Sequence, residues 1–547
     1  MKKCKCIFFL VLLIVIVVFY SQIVSHPEYN DLRVMGILGF IQLLFSIWSW
    51  KYLGKELINP YLFFLVALYT FSFGQSLLYV FNIVSERRDL IGFQGITFKE
   101  IFDSQVLTLV MLSCFHIGAI LSVSRLEEST YSSLPIDYTK RIRRVGWVLF
   151  IVSIIPYFSR IIQDMIFSMM YGYGALYERV EEVGISQIDK YIGDYFVPSL
   201  ICLFVGYRLN PKMRYFIFGL CLFNIVAILL TGGRTYAVIL FALLILLYHY
   251  GVKRISLKGG IVLVVFSVLF LTLLTAISHS RSESKRSVKV YFQKDSGIEN
   301  GVTETIAEMG SSMFCLIKTK EIVPSREDYR YGRSYFYSFM SLIPNLGFWD
   351  MHPARLEANL GNWLTNKLGL SYGTGYSMCA EAYINFGIGG SVAMLILGFL
   401  LGKIFKTDSR LFKENPALLI FSLILFWFCL KMTRNSFIGF VRAFFYYALP
   451  IYYIITRGIF KRVGKFSLGM RQRLGIAQSI MEDPSILILD EPMNGLDNIG
   501  VQDMRKLFLS LKDEGKTILI ACHNKEDINL LCDEVYSMDH GNAERMV

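Results

Sequence analysis

The stretch MKKCKCIFFLVLLIVIVVFYSQIV (Met1–Val24) decides the class of fold to which this chain belongs. Its three lysines stand before one unbroken apolar run that is long enough to cross a bilayer. No small-residue cleavage site follows the run, so the stretch predicts a first transmembrane helix rather than a removed signal peptide. Runs of this kind recur along most of the chain, which predicts an all-α polytopic membrane protein.

The composition excludes a soluble protein of this size. The chain has 547 residues, of which 54% are hydrophobic, and its mean hydropathy is +0.48. Its 55 basic and 43 acidic residues give a net charge of +12. The basic residues stand in short runs between apolar segments rather than on one face, which indicates membrane topology and not nucleic-acid binding. The ten cysteines show no disulfide or metal-ligand spacing, so we expect no metal and no cofactor.

About twelve apolar stretches have a length suited to a transmembrane helix of roughly 20 residues. They lie near 7–24, 34–53, 60–84, 105–123, 145–161, 192–208, 214–231, 235–250, 259–278, 377–402, 416–432 and 436–456.

The basic residues predict the orientation of these spans, because short loops rich in Lys and Arg stay in the cytoplasm. Lys2, Lys3 and Lys5 place the N-terminus inside, and every second loop that follows is basic. With an even number of spans the C-terminus is also cytoplasmic. The long polar segment at about 279–375 then lies outside, where a segment of this length is expected to be a lid or a binding element.

Arginines mark two turns on the predicted outer side. LLTGGRTYAVIL (Leu229–Leu240) places Arg234 after two glycines, and KMTRNSF (Lys431–Phe437) places Arg434 between the last two spans. Arginine at a helix end often only extends its charge to the membrane surface, which is called snorkelling. For Arg434 this interpretation and a functional role are evenly matched. Positive charge is disfavoured on this side, however, and a guanidinium binds phosphate oxygens with two parallel hydrogen bonds. The pattern is typical of a binding site for a pyrophosphate that is anchored to a lipid.

Two residues are candidate bases for a hydroxyl that attacks such a donor. Glu381 lies about one turn inside a span, with Asn385 four residues further on the same face, and a buried structural carboxylate is the alternative. His352 is equally compatible with a packed or solvent-exposed role. Aromatic residues of the polar segment offer either flat faces for sugar rings or an interfacial belt: Tyr331, Tyr335, Tyr337, Trp349 and Trp363.

Residues 1 to about 458 resemble the Wzy-type polymerases of bacterial O-antigen and capsule repeat units. The likeness rests on LTGGRTYAVIL, on YGRSYFYSFMSLIPN in the polar segment and on EAYINFGIGG at the tenth span. It implies a GT-C-like glycosyltransferase that joins undecaprenyl-pyrophosphate-linked oligosaccharides at the outer face of the cytoplasmic membrane without metal. It also implies work alongside flippase and chain-length regulator proteins. The positions that match the family's pyrophosphate-binding arginines are Arg234 and Arg333.

Two other functions remain open on the sequence alone. An O-antigen ligase shares the many spans, the large outer loop and the lipid-pyrophosphate donor, but transfers finished chains to a different acceptor. A polysaccharide or lipid-linked sugar transporter would carry polar residues deep in several spans, and few are present here.

The tail, residues 466–547, resembles the second half of an ABC transporter ATPase, after a junction at 459–465. FSLGM stands where the LSGGQ signature is usual, and the Walker B, D-loop and switch motifs follow in order. The residues concerned are Ser467, Gly469, Asp490, Glu491, Asp497 and His523.

The tail lacks a Walker A loop, the glycine-rich segment that cradles ATP phosphates. Its only Gly-Lys-Thr (Gly515 to Thr517) follows the Walker B strand, and Ser510 stands where the motif requires glycine. We therefore expect no ATPase activity from this fragment on its own. A fusion remnant is the favoured interpretation, because half a sheet leaves its core and edge unpaired. The alternative is that it docks on a partner ATPase and lends the partner its signature motif.

Overall fold

The computed structural model of the protein describes most of the chain. It covers residues 2–84, 89–92, 95–123, 139–171, 185–231, 234–256, 259, 298–343, 345, 349–370, 373–405, 407, 411–456, 464 and 466–546. The chain forms two compact units, Met1–Thr456 and Arg457–Val547, and each is described by itself.

The first unit is built from helices. Within the described ranges, nine of its helical stretches are long and apolar enough to span a bilayer. The helices on either side of the polar segment are α1 (Lys2–Ile23), α2 (Tyr29–Tyr52), α3 (Pro60–Tyr79), α4 (Phe98–Ser122), α5 (Thr139–Tyr171), α6 (Ile185–Gly193), α7 (Phe196–Gly206), α8 (Pro211–Thr231) and α9 (Arg234–Gly251), and then α15 (Met378–Phe386), α16 (Gly390–Phe405), α17 (Leu411–Glu414), α18 (Pro416–Cys429), α19 (Ile438–Arg442) and α20 (Leu449–Thr456).

Eleven of the twelve predicted spans have a helix at their position. The remaining one, the ninth at 259–278, lies outside the described residues apart from Gly259. The sixth differs from the prediction, because the helix there, α7, has only 11 residues. Helix α4 begins earlier than its apolar run, since the capping box of Thr97 and Glu100 starts the helix in polar sequence. Helix α5 continues past residue 161 to Tyr171.

Asn-Pro pairs begin three of the spans. Asn59, Asn210 and Asn415 each accept a hydrogen bond through their side-chain oxygen from a backbone N–H in the first helical turn, at 2.9, 3.2 and 3.1 Å. The proline that follows fits the first helical position, since its missing N–H would have no partner there. Each pair therefore fixes the residue at which its span starts.

Helices α4 and α16 pack backbone against backbone through glycines. A Cβ atom on Gly118 would overlap the carbonyl oxygen of Leu395, and one on Gly398 would overlap that of Phe115. Only glycine permits this approach, as in other tightly packed membrane helices. The contact holds the span that carries Glu381 against the N-terminal spans.

The part of the polar segment that the structure describes, from residue 298 onward, is folded mostly as short helices. They are α10 (Ile298–Gly310), α11 (Met313–Ile322), α12 (Arg333–Met340), α13 (Pro353–Glu357) and α14 (Leu360–Lys367). The sequence predicts helical patches in GVTETIAEMGSSMFCLIKTKEIV (Gly301–Val323) and ARLEANLGNWLTNKLG (Ala354–Gly369). The first forms α10 with α11 and the second forms α13 with α14.

Helix α10 lies directly on α3. A Cβ atom on Gly310 would overlap the backbone nitrogen of Gln75, and one on Gly74 would approach Gly310 Cα at 3.1 Å. Gln75 Nε2 also donates a 2.9 Å hydrogen bond to the carbonyl oxygen of Ala307. The polar segment is therefore anchored in the bundle of spans rather than suspended beyond it.

The tail unit is a small α/β fragment. A parallel pair of strands, β1 (Ile486–Asp490) and β2 (Thr517–Ala521), packs beside α21 (Leu468–Ile480) and α22 (Asn498–Asp513). Helix α23 (Lys525–Leu531) and the hairpin of β3 (Tyr536–Asp539) and β4 (Asn542–Arg545) complete it. Only one face of the parallel pair is covered, because Leu487 and Leu489 are buried while Ile486 and Ile488 are 64% and 75% exposed.

Candidate active site

A small pocket lies where α10 meets the spans. It has a volume of about 40 Å³, and Arg434, Glu308 and Thr235 are among the residues that line it. Glu308 comes from the polar segment, Arg434 ends the 3₁₀ turn that follows α18, and Thr235 is the second residue of α9. Three elements that are distant in sequence thus contribute residues to the lining of one pocket.

The two arginine turns predicted from the sequence are neighbours. Besides Thr235 and Arg434 in this pocket, the Lys431 ammonium lies 3.6 Å from the ring centroid of Tyr236. Arg234 is the first residue of α9, directly before Thr235. Its side chain, like the whole of Gly232 and Gly233, lies outside the described residues, so its contribution stays a prediction.

Glu381 joins three elements through its carboxylate. Oε1 accepts a 2.8 Å hydrogen bond from Ser334 Oγ of α12, and Oε2 accepts a 2.6 Å bond from the backbone N–H of Phe437. Asn385 donates to Ser334 Oγ at 2.7 Å and, through its Oδ1, accepts from the N–H of Gly332 at 3.0 Å. Glu381 is 1% exposed. This geometry favours the structural interpretation of Glu381 over the catalytic one.

Arg333 lines a second and larger pocket, of about 560 Å³. This pocket is formed by residues 324–328, Arg330, Arg333 and Glu357, and Arg434 is not among them. Arg333 and Arg434, two of the three arginines that the sequence predicts to bind pyrophosphate, therefore line different pockets. The hydrogen bonds of Glu381 connect residues close to the two arginines. Ser334 directly follows Arg333, and Phe437 comes three residues after Arg434.

His352 caps helix α13. Its Nδ1 accepts a 3.1 Å hydrogen bond from the N–H of Ala354, and its Nε2 lies 2.9 Å from the carbonyl oxygen of Ile343. These contacts fit a neutral ring that carries its proton on Nε2. Both nitrogens are occupied, so the packed role that the sequence left open is the one that the geometry favours.

The aromatic residues of the polar segment divide into packed and exposed members. Tyr335 packs against Phe437 with ring centroids 5.2 Å apart, and Trp363 donates from Nε1 to Glu327 at 3.2 Å. Tyr331 is 75% exposed. Stacking on a sugar therefore remains an expectation for Tyr331 more than for the packed residues.

Two residues of the site were missed by the sequence analysis. Glu308 lies in the amphipathic sequence TETIAEMG, where nothing distinguishes it from Glu304, and only the packing of α10 on α3 directs it to the pocket. Arg330 is 8% exposed, donates to the carbonyl oxygen of Glu357 at 2.7 Å and lies over the Trp363 ring at 5.3 Å. The sequence YRYGRS around it does indicate a functional arginine, but the resemblance to the family points to Arg333 instead.

The motif residues of the tail make contacts with one another and with the ends of its helices. His523 Nδ1 lies 2.6 Å from Glu491 Oε1, which joins the switch histidine to the Walker B glutamate. Asp497 caps α22 by accepting from the N–H of Gly500 at 3.0 Å. Ser467 caps α21, and Gly469 packs on the backbone of Gly495. Asp490 ends β1.

Within the described residues, nine helices of membrane-spanning length and apolar composition define a multi-pass membrane protein. The family described as O-antigen polysaccharide polymerase Wzy matches residues 5–465, more than four fifths of the sequence, and the chain belongs to that family. The family acts on lipid-linked oligosaccharide in the membrane, so this is a glycosyltransferase-type enzyme. No solved structure matches the chain.

The end of the chain matches a different family, the ABC transporter family, over residues 445–494. Its C-terminal region is 53% identical over 83 residues to an uncharacterised ABC transporter ATP-binding protein, YybJ, of Bacillus subtilis. It is 52% identical over 82 residues to the bacitracin transport ATP-binding protein BcrA of Bacillus licheniformis. These matches cover 15% of this chain in each case and only 38% and 27% of those relatives.

Proposed function

We propose that this protein polymerises undecaprenyl-pyrophosphate-linked repeat units into O-antigen, capsular or exopolysaccharide at the outer face of the bacterial cytoplasmic membrane. The observation that carries the proposal is the pocket that Glu308 and Arg434 both line, together with Thr235 at the start of α9. The positive-inside pattern of the loops supports an outer location for this pocket and a cytoplasmic location for both termini.

The pocket offers the groups that transfer from a lipid pyrophosphate needs. A hydroxyl of the acceptor attacks the anomeric carbon of the donor sugar, and the bond from that carbon to the pyrophosphate oxygen breaks. The leaving pyrophosphate takes the electron pair, and Arg434 together with Arg234 stabilises its charge. Glu308 accepts the proton of the attacking hydroxyl. No step requires a metal ion, in keeping with the resemblance that suggested this activity.

The other predicted residues take supporting positions in this scheme. Glu381 holds α12 and the segment after Arg434 together through its hydrogen bonds to Ser334 and Phe437. His352 stabilises the start of α13. Flippase and chain-length regulator proteins are the partners that such a reaction needs, one to supply donors and the other to set polymer length.

The test is the surface polysaccharide of a deletion strain that is complemented with this gene. We expect a ladder of chain lengths from the native protein and only single repeat units from Glu308→Gln at an equal membrane level. Asp350→Asn is the matched control, because Asp350 is an exposed carboxylate of the same segment and lines neither pocket. A full ladder from Glu308→Gln would remove Glu308 from the mechanism. Finished chains that fail to reach their acceptor, with the ladder intact, would identify a ligase instead.

For the tail we propose a boundary near residue 458, a junction at 459–465 and an ATPase-like fragment at 466–547 that hydrolyses no ATP alone. The absence of a Walker A sequence supports this division. Purified protein should show no ATPase activity above that of Glu491→Gln, and a clear difference between the two would contradict it.

A further inference from the structure

The pocket of about 560 Å³ in the polar segment is separate from the Glu308 and Arg434 pocket, and it has the size of a ligand site. One of its walls is fixed to the spans. The N–H groups of Arg330 and Tyr331 donate to the carbonyl oxygens of Ile384 and Asn385, at 2.9 and 3.0 Å. A site whose wall is held by main-chain bonds to a span is preorganised for binding.

Most charges around this pocket already have partners. Arg326 pairs with Glu321 at 3.0 Å, Glu327 with Lys367 at 2.5 Å and Arg330 with Glu357 at 3.2 Å. The side chains of Asp328 and Arg333 make no hydrogen bond or ion pair within the described part of the chain. The pocket therefore presents one acceptor group and one donor group of opposite charge.

Arg330 adds a buried donor to this pair. Its side chain is 10% exposed, and its Nη1 donates to both the carbonyl oxygen and the carboxylate of Glu357. The guanidinium lies over the Trp363 ring and contributes to the pocket wall, so it is held in one place by contacts on two sides. A fixed guanidinium binds an oxygen-rich ligand with little loss of side-chain entropy.

The balance of charge selects the class of ligand. A phosphate or pyrophosphate would meet Asp328 and Glu357 as well as the arginines, and like charges that share one site repel. A neutral ring with several hydroxyl groups can donate to Asp328 and accept from Arg333 and Arg330 at the same time. We propose that this pocket binds an uncharged sugar residue of the repeat unit, away from the bond that reacts. The inference rests on the proposed polymerase function and assigns a second subsite to it.

The experiment is a calorimetric titration of the purified full-length protein in nanodiscs. The probe is the repeat-unit oligosaccharide released from its lipid pyrophosphate by mild acid, so that the pyrophosphate contributes nothing to the measured binding. We expect the native protein to bind this probe and Asp328→Asn to bind it about tenfold more weakly, since a hydrogen bond to a charged group is lost. Asp350→Asn and Arg355→Ala should bind it as the native protein does, because both residues are exposed and line neither pocket.

Excess inorganic pyrophosphate separates the two sites. It should leave binding of the oligosaccharide unchanged, and displacement would show that the pocket is an anion site. Absence of binding to the native protein, or equal binding to the native protein and Asp328→Asn, would overturn the subsite. Either result leaves the polymerase proposal to be decided by the polysaccharide ladder of Glu308→Gln.

Discussion

At the scale of the residue, Glu381 shows how a carboxylate persists in an otherwise apolar span. A buried carboxylate is costly unless hydrogen bonds replace those it made to water. Here Ser334 and the backbone of Phe437 supply them, and Asn385, one turn later, completes the network. The spacing of Glu381 and Asn385 predicted a shared face. The partner on the polar segment could not be predicted, because Ser334 is 47 residues away in sequence.

Glu381→Gln should reduce stability rather than chemistry alone. The glutamine amide can present its oxygen to only one of the two donors, Ser334 Oγ or the N–H of Phe437. The other donor then faces the NH₂ group of the amide and loses its acceptor, at a cost of about 1–3 kcal/mol. We expect less protein in the membrane and a ladder that falls in proportion. Thermal unfolding of the purified variant measures the first effect. A normal membrane level with no ladder would instead restore Glu381 as the base.

Alanine and lysine substitutions at Arg434 and Arg234 should separate the role of the positive charge from that of the planar guanidinium group. Alanine at either position should reduce chain extension by about 100-fold or more, as expected for removal of a group that stabilises a leaving anion. Lysine should rescue poorly, because a point charge lacks the two parallel donors of a guanidinium. Incorporation of labelled repeat units into polymer is the measurement. Arg355→Ala is the control, since Arg355 is exposed and lines neither pocket. A normal rate in Arg434→Ala would return that residue to a snorkelling role.

At the scale of the element, the close contact of α10 with α3 directs Glu308 to its pocket. The sequence predicted a helical patch here but not its position, because one glycine on each helix carries no periodic signal. The spans themselves were predictable, since each is a long apolar run that is bounded by Asn-Pro pairs or by basic residues. The short helix in the sixth span was not predictable in the same way, because the apolar run at 192–208 is longer than the 11-residue α7 that forms in it.

Gly310→Ala tests this packing directly. The added Cβ atom would overlap the backbone of Gln75 and Gly74, which cannot move as a side chain can. We expect a destabilisation of about 1–3 kcal/mol and a loss of chain extension, since α10 must shift and takes Glu308 with it. Gly373→Ala is the matched control, because a Cβ atom there meets nothing within 4 Å. Polymer length and protein level should be measured together, and an unchanged ladder in Gly310→Ala would show that the position of α10 is not critical.

At the scale of the whole molecule, the chain matches two different families. The match to the polymerase family ends at residue 465, and the match to the ABC family covers only part of an ATPase. Composition and motif order predicted both parts, because long apolar runs and consecutive ATPase motifs are strong local signals. The sequence could not predict the two pockets, since each is made by residues that only the fold brings together.

A chain ended after Lys465 should polymerise as the full-length protein does. The proposed chemistry uses residues of the first unit only, and the removed tail lacks the loop that holds ATP phosphates. Ladders from the two forms should be compared at matched membrane levels, with Glu491→Gln in the full-length chain as a second test. A shortened or absent ladder in the truncated form would show that the tail contributes to polymerisation.

The uncovered face of the parallel strand pair has a consequence for the fate of the protein in the cell. Ile486, Ile488 and Leu519 are 64%, 75% and 61% exposed, and they form an apolar surface of the kind that chaperones and quality-control proteases recognise. An epitope fused to the C-terminus is then expected to disappear by trimming while one at the N-terminus survives. Immunoblots with the C-terminal epitope would underestimate how much polymerase the membrane holds.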